Sequence, residues 1–246
     1  MVKSYYNHAG ITIYHGDCLE VMPQLPQVDM ILTDPPYGTT DCKWDSIIPF
    51  EPMWEQIGRI IKNDGVVIMT ASQPFTTALI SSNPRMFKYC WVWNKKLAGN
   101  GILAKKQPLK IHEDIVVFGG KNYFPQMETG KLRGKGGIID KHGTFSNKER
   151  KKVWNNYYYP KSILEFSGAG MRRTRKHPTQ KPVELMKYLL KTYTDKNGLV
   201  LDFAMGSGTT LVAAKELCRR AIGIEISEEY CEIAVKRLAQ EALPCS

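Results

Sequence analysis

Short apolar runs, each followed by a stretch with helical spacing, constrain this chain more than any other feature. VDMILT (28–33), VVIMT (66–70), GLVLDF (198–203) and AIGIEI (221–226) are too short for helices and are apolar on consecutive positions. Such runs suit strands buried on both faces of a parallel sheet, because helices cover both sides. ITIYH (11–15), YCWVWNK (89–95) and DIVVFG (114–119) read as further strands. Between them, CLEVMPQL (18–25), MWEQIGRIIK (53–62), PFTTALISS (74–82), VELMKYLLKTY (183–193), TTLVAAKELCRR (209–220) and SEEYCEIAVKRLAQEAL (227–243) read as helices, the last with Ser227 as its N-cap. Alternation of this kind predicts an α/β fold.

The pattern lapses between about 120 and 176, where Gly, Lys, Arg and Tyr dominate and no period is sustained. Lys121–Lys176 holds 14 Lys and Arg against 4 Asp and Glu, so it carries the whole net charge of +10. A segment of that charge suits a polyanion, since neutralised phosphates release counterions. The predicted layout is a catalytic and cofactor-binding domain from 1–119 and 177–246, interrupted by a basic insertion at 120–176. No apolar run approaches the roughly 20 residues of a membrane span, and MVKSYYNHAG lacks a signal-peptide core. Six scattered cysteines without a CxxC pair suggest neither a zinc site nor a disulfide framework, which points to a cytoplasmic protein.

Two strand ends carry chemistry. ILTDPPYG (31–38) delivers Asp34 from a buried strand into a turn stiffened by Pro35 and Pro36, with the aromatic Tyr37 beside it. LDFAMGSGTT (201–210) is a strand-to-helix junction. Gly206 and Gly208 let a ligand approach the backbone, and the following helix N-terminus offers free N–H groups to an anion. Asp202 closes the strand, and Glu225 ends the next strand, where an acid can accept from both hydroxyls of a ribose. Leu211 stands where a dinucleotide fingerprint wants glycine, and Thr209-Thr210 where a P-loop wants lysine. A cofactor that pairs a carboxylate with a ribose fits better than either.

These motifs, in this order, resemble the β class of DNA amino-methyltransferases. That class places DPPY first, a target-recognition region in the middle and an FxGxG cofactor motif last; here they are Asp34-Pro35-Pro36-Tyr37, the basic insertion and Phe203-Ala204-Met205-Gly206-Ser207-Gly208. Gly16-Asp17, Trp93-Asn94-Lys95, His112-Glu113-Asp114-Ile115 and His177-Pro178-Thr179-Gln180-Lys181-Pro182 match as well. The resemblance implies a Rossmann-like sheet, circularly permuted, so that Asp17 lies beside Gly206 and beside Glu225, the latter more than 200 positions away. It implies S-adenosylmethionine as cofactor, no metal, and transfer of a methyl group to adenine N6 of a base flipped from duplex DNA. DPPY favours adenine over cytosine N4; an RNA target is the remaining alternative. Asp34, Pro35, Pro36 and Tyr37 are the expected catalytic group. Asp17, Thr179, Lys181, Pro182, Asp202, Phe203, Gly206, Ser207, Gly208, Thr209, Thr210 and Glu225 are the expected cofactor contacts, with Asp17 accepting from the adenine amino group. A homodimer, a cognate restriction endonuclease and a bacterial, archaeal or phage origin accompany the resemblance.

The remaining motifs have plainer readings. His112-Glu113-Asp114 reads as a structural cluster at a strand start. Arg172, Arg173, Arg175 and Lys176 read as phosphate contacts, which position DNA without specifying sequence. Tyr157, Tyr158 and Tyr159 either face DNA or form the insertion's small core, and Trp44 sits in a loop that either closes over the base or simply packs.

Overall fold

The computed structural model describes residues 2–39, 46–99, 101–135, 138–139, 145–146, 153–167 and 180–240. The strands are β1 (Tyr6–His8), β2 (Ile11–His15), β3 (Val28–Thr33), β4 (Ile61–Ala71), β5 (Phe87–Gly99), β6 (Lys110–Gly119), β7 (Glu128–Lys135), β8 (Ile138–Ile139), β9 (Phe145–Ser146), β10 (Val153–Tyr158), β11 (Ile163–Glu165), β12 (Leu199–Asp202) and β13 (Arg220–Glu225). The helices are α1 (Cys18–Val21), α2 (Phe50–Ile60), α3 (Phe75–Ser82), α4 (Val183–Tyr193), α5 (Thr209–Glu216) and α6 (Glu228–Gln240).

Nine strands form one sheet in the order β1-β2-β13-β12-β3-β4-β6-β5-β11. The five strands β2, β13, β12, β3 and β4 run parallel; β6 is antiparallel to β4 and to β5, β11 is parallel to β5, and β1 is an antiparallel edge. Consecutive residues of β3 feed opposite cores. Met30 and Leu32 pack with Ile11, Ile68, Leu189 and Leu211 on one face. Val28 and Ile31 pack with Ile57, Val67, Phe118 and Leu201 on the other. Burial on both faces is why the strand reads as an unbroken apolar run. Asp29, the acid within it, accepts from Lys62 at 2.6 Å and from the Leu199 N–H at 2.7 Å.

The strand order is that of a circularly permuted Rossmann-like sheet. The N-terminal strand β2 pairs with the late β13, Ile11 opposite Ala221 and His15 opposite Glu225. The Gly16 N–H donates to the Glu225 carbonyl at 2.9 Å, which brings Asp17 next to Glu225.

α4 follows its sequence limits, burying Leu185, Met186, Leu189, Leu190 and Tyr193 on one face. Each such side chain contributes about 1.5–3 kcal/mol when fully buried. α5 ends at Glu216 instead of running to Arg220. Cys218 takes a left-handed φ of 56°, the Arg219 N–H returns to the Ala214 carbonyl and the Cys218 N–H to Lys215, which closes a Schellman motif. CLEVMPQL forms only one α turn followed by a 3₁₀ turn, with Pro23 at the junction. β4 begins at Ile61, taking in the Asn63-Asp64-Gly65 that read as a helix terminator. Cys18, Cys90 and Cys231 are free thiols.

The chain divides into two compact units, Met1–Phe124 with Ser162–Ser246, and Pro125–Lys161. β11, inside the stretch read as insertion, belongs to the main sheet through Ile163 opposite Val92. The smaller unit contains an antiparallel β7–β10 ribbon with an irregularity between Asn155 and Tyr157. Arg133 lies 3.7 Å over the Tyr158 ring, and the Tyr158 hydroxyl donates to the Lys131 carbonyl at 2.8 Å. Leu132, Trp154, Tyr157 and Tyr159 are exposed on this unit. Among the described residues no helix is long and apolar enough to cross a membrane.

Candidate active site

Topology gathers the polar residues at one edge of the sheet. The carboxyl ends of the five parallel strands deliver Gly16-Asp17, Asp34, Ser72, Asp202 and Glu225 to that edge. β6 runs the other way, so its start contributes Lys110 and Glu113, and β5 contributes Trp93 and Lys95. These residues line one cavity of about 950 Å³. Ligand sites of open α/β sheets lie at this edge.

At the glycine turn, Gly206 has φ 50° and Gly208 φ 76°, both left-handed. A Cβ on Gly208 would stand 2.8 Å from the Ala234 Cβ, so α6 packs where only glycine fits. Arg237 of α6 reaches under the turn and donates to the Ser207 carbonyl at 2.7 Å and to the Ser207 and Thr209 hydroxyls at 3.1 Å. Glu225 accepts from the Gly206 N–H and the Ser227 N–H, both at 2.9 Å. Burial holds its carboxyl above the usual range against those two donors. Backbone donors thus hold both Glu225 oxygens in place. Asp17 caps α1 by accepting from the Leu19 N–H at 2.7 Å. Asp202 is buried, and its carboxyl is pushed up to about 7; burial raises it, the Thr210 and Thr33 hydroxyls and the Ala204 N–H pull it back, and the Asp34 charge raises it further.

The second group surrounds Asp34. Its Oδ1 accepts from the Tyr37 hydroxyl at 2.7 Å and from the Thr70 hydroxyl. Its Oδ2 accepts from Lys181 Nζ at 2.7 Å. Lys181 also stands 3.3 Å from Glu113 Oε2, and Glu113 Oε1 accepts from Lys95 at 3.0 Å. Burial would pull the Lys181 ammonium down, but Asp34 and Glu113 outweigh it and hold it above the ordinary value. Burial likewise opposes ionisation of Glu113, and Lys181 and Lys95 keep its carboxyl below the usual range. The Tyr37 ring stacks on Phe75 at 5.1 Å and 25°. Burial, then Asp34, push the Tyr37 hydroxyl well above its ordinary value, so it remains a donor.

A glycine corner suited to a nucleoside thus shares a cavity with a rigid Asp-Pro-Pro-Tyr turn, in a circularly permuted sheet. A family model described as DNA methylase, of the N6/N4 class, matches residues 28–236. The chain belongs to this family. The methylase is 27% identical to the type II methyltransferase M.ScaI of Streptomyces caespitosus, over 98% of this chain and 85% of that one. It is 28% identical to the DNA adenine methyltransferase YhdJ of Escherichia coli, over 95% and 84%. The crystal structure of an M1.HpyAVI–SAM complex superposes with a TM-score of 0.63 at 26% identity, covering 92% of this chain and 99% of that one. The cytosine-N4-specific PvuII methyltransferase shares the fold, with a TM-score of 0.65 at 15% identity over 92% and 86%.

Of the expected cofactor contacts, Asp17, Lys181, Asp202, Phe203, Gly206, Ser207, Thr209, Thr210 and Glu225 line the cavity, as do all four residues of the Asp34–Tyr37 turn. Gly208 and Pro182 stand behind the wall, Gly208 as the N-cap of α5 and Pro182 as that of α4. The methylase's Lys181, expected among the cofactor contacts, has its ammonium on Asp34. Thr179, His177, Trp44 and the run Arg172, Arg173, Arg175, Lys176 lie outside the described residues. Glu113, read as structural, lines the cavity between two lysines; the ordered Trp93-Asn94-Lys95 and His112-Glu113-Asp114 matches were the available signal. Thr70 and Arg237 gave none, since each acts from the interior of an ordinary strand or helix.

Proposed function

We propose that this methylase transfers a methyl group from S-adenosylmethionine to the N6 amino group of adenine flipped out of duplex DNA. The observation that carries the reading is the single cavity shared by the Asp34 turn and the Gly206–Glu225 corner. The donor set fits the cofactor. Glu225 and Asp17 offer acceptors to ribose and adenine. The N–H groups at the start of α5 suit the carboxylate, and Asp202 suits the cationic amino acid end. When bound, S-adenosylmethionine supplies an electrophilic methyl group on sulfur.

The chain's own part is to make a poor nucleophile attack. An exocyclic amine shares its lone pair with the ring until the nitrogen becomes tetrahedral. Asp34 Oδ2 and the Pro35 carbonyl are the two acceptors for its N–H bonds in that geometry, and proline rings keep the carbonyl rigid. Asp34 would receive the proton that the nitrogen sheds once it is methylated. Tyr37 offers an aromatic face to the extruded base. The basic insertion supplies DNA affinity, and its exposed Trp154, Tyr157 and Tyr159 suit contact with bases.

The relative named as a DNA adenine methyltransferase, matched over 95% of this chain, supports adenine over cytosine. The test is base analysis of DNA from an unmethylated host expressing the chain, beside its Asp34→Ala variant. N6-methyladenine that disappears in the variant is expected, with turnover down about 10²–10³-fold and cofactor affinity intact. N4-methylcytosine would redirect the reading to cytosine. Methyl transfer to RNA alone would overturn it.

A further inference from the structure

The carboxylate that must accept from the target amine is nearly full. Each carboxylate oxygen has two lone pairs. Asp34 Oδ1 faces two hydroxyl donors, Tyr37 and Thr70, and the Tyr37 hydroxyl also lies 3.0 Å from the Thr70 hydroxyl. Oδ1 is therefore the more heavily engaged of the two oxygens. Oδ2 accepts only from Lys181 among the described residues, which leaves one lone pair on it. Lys181 is itself fixed from behind. Its side chain is 8% exposed, and Glu113 Oε2, buried and with no hydrogen bond of its own, has the Lys181 ammonium as its ion-pair partner.

We infer that Lys181, braced by Glu113, is a positioning residue that orients the Asp34 carboxylate and leaves a single Oδ2 lone pair for the target amine. This deepens the proposed function and rests on its reading of Asp34 as the acceptor. The brace gives a direction as well as a charge. A lone pair on Oδ2 opposite the lysine points one way only, so the amine is steered onto one line of approach. Near-ideal alignment of nitrogen, methyl and sulfur is where much of such a rate enhancement comes from. It also assigns Lys181 to the catalytic half of the cavity, and not to cofactor affinity.

The charged and titratable groups facing Asp34 are Tyr37 from its own turn, Lys181 ahead of α4, Glu113 and Lys110 from β6, Lys95 from β5 and Asp202 from β12. Removing Lys181 leaves the Asp34 and Glu113 carboxylates facing each other without the cation between them. Removing Glu113 leaves Lys181 to Asp34 alone. The two substitutions therefore change the charge beside Asp34 in opposite senses, one removing a cation and the other an anion, which general damage to packing does not do.

The experiment is a pH profile of kcat for methyl transfer, with cofactor affinity measured by titration in the same preparations. Lys181→Met should lose about 10–10²-fold in turnover, bind S-adenosylmethionine within about twofold of wild type, and move the acid limb of the profile up. Adding Glu113→Gln should return that limb part of the way, and Glu113→Gln alone should move it down. Lys181→Arg, which keeps the charge, should keep the wild-type limb with partial turnover. An unmoved limb in Lys181→Met, or weaker cofactor binding with kcat unchanged at saturation, overturns the inference. Should Lys181→Met fail to fold, the downward limb of Glu113→Gln and the retained limb of Lys181→Arg decide it. Asp34→Ala separates the two readings. If it retains turnover, both fall; if it is inactive while Lys181→Met behaves as wild type, only the brace falls.

Discussion

Asp202 offers a test that needs neither DNA nor catalysis. Its carboxyl is pushed from the ordinary aspartate range up to about 7, with burial as the largest cause. The folded chain therefore holds this proton where the unfolded chain has already released it. Stability from this group is fully present below about pH 4 and falls as pH rises towards 7, because the folded state binds the extra proton through that window. About three pH units at 1.36 kcal/mol each gives a burden near 4 kcal/mol above pH 7, an upper figure, since a buried site relaxes when it ionises. Asp202→Asn keeps the shape and an oxygen for the Ala204 N–H, and removes the ionisation. At pH 8 the cofactor-free variant should be more stable than wild type by about 2–4 kcal/mol, or roughly 5–15 °C in Tm for a chain of this size. The advantage should shrink as the pH is lowered from 7 to 4. Thermal unfolding across that range reads it directly. A variant no more stable at pH 8, or a gap that does not close in acid, refutes the reasoning. Saturating S-adenosylmethionine should reverse the order, because its cationic end favours an ionised Asp202 and finds none in the variant.

Other outcomes follow from the same structure. Wild-type cofactor affinity should weaken as pH drops below about 7, approaching tenfold per unit where Asp202 must first lose its proton, as isothermal titration at several pH values would show. Gly208→Ala forces a Cβ to 2.8 Å from Ala234 at a φ of 76°; it should cost about 1–3 kcal/mol in denaturant unfolding and weaken cofactor binding along with it. Neutralising Arg172, Arg173 and Arg175 together should reduce the slope of log K against log salt by up to about 2.7, at roughly 0.9 per phosphate contact, with S-adenosylmethionine affinity unchanged; an unaltered slope removes them from the DNA surface.

The elements legible in the sequence were those with one cause. β3, β12 and β13 are apolar on successive positions because both their faces are buried, and α4 shows its stripe because one of its faces is. The juxtaposition of Asp17 with Glu225 came from the family's motif order, and no local pattern holds it. What escaped was decided by partners remote in the chain. β11 is too short to signal itself and exists because β5 offers it an edge. α5 stops where Cys218 turns left-handed, which the amphipathic LCRR does not show. Glu113 reads as an ordinary polar residue at a strand start until Lys181, 68 positions later, is folded against it. Periodicity reports burial, and pairings between charges so far apart leave no periodic trace.

The pairing of β2 with β13 also sets an order of events during synthesis. β13 is an interior strand, lying between β2 and β12, and it leaves the ribosome after every other strand of the sheet. Until Ala221–Glu225 emerges, β2 has only the three-residue β1 beside it, and β12 presents an open edge. The Asp34 turn, by contrast, has its neighbour β4 within the first third of the chain. Contacts of such long range slow folding, since loop closure precedes any return from them. The growing chain thus acquires its Asp34 turn early and its Gly206–Glu225 corner late. An interrupted translation product lacking β13 carries a gap inside its sheet, with two apolar strand edges open to pairing with another chain.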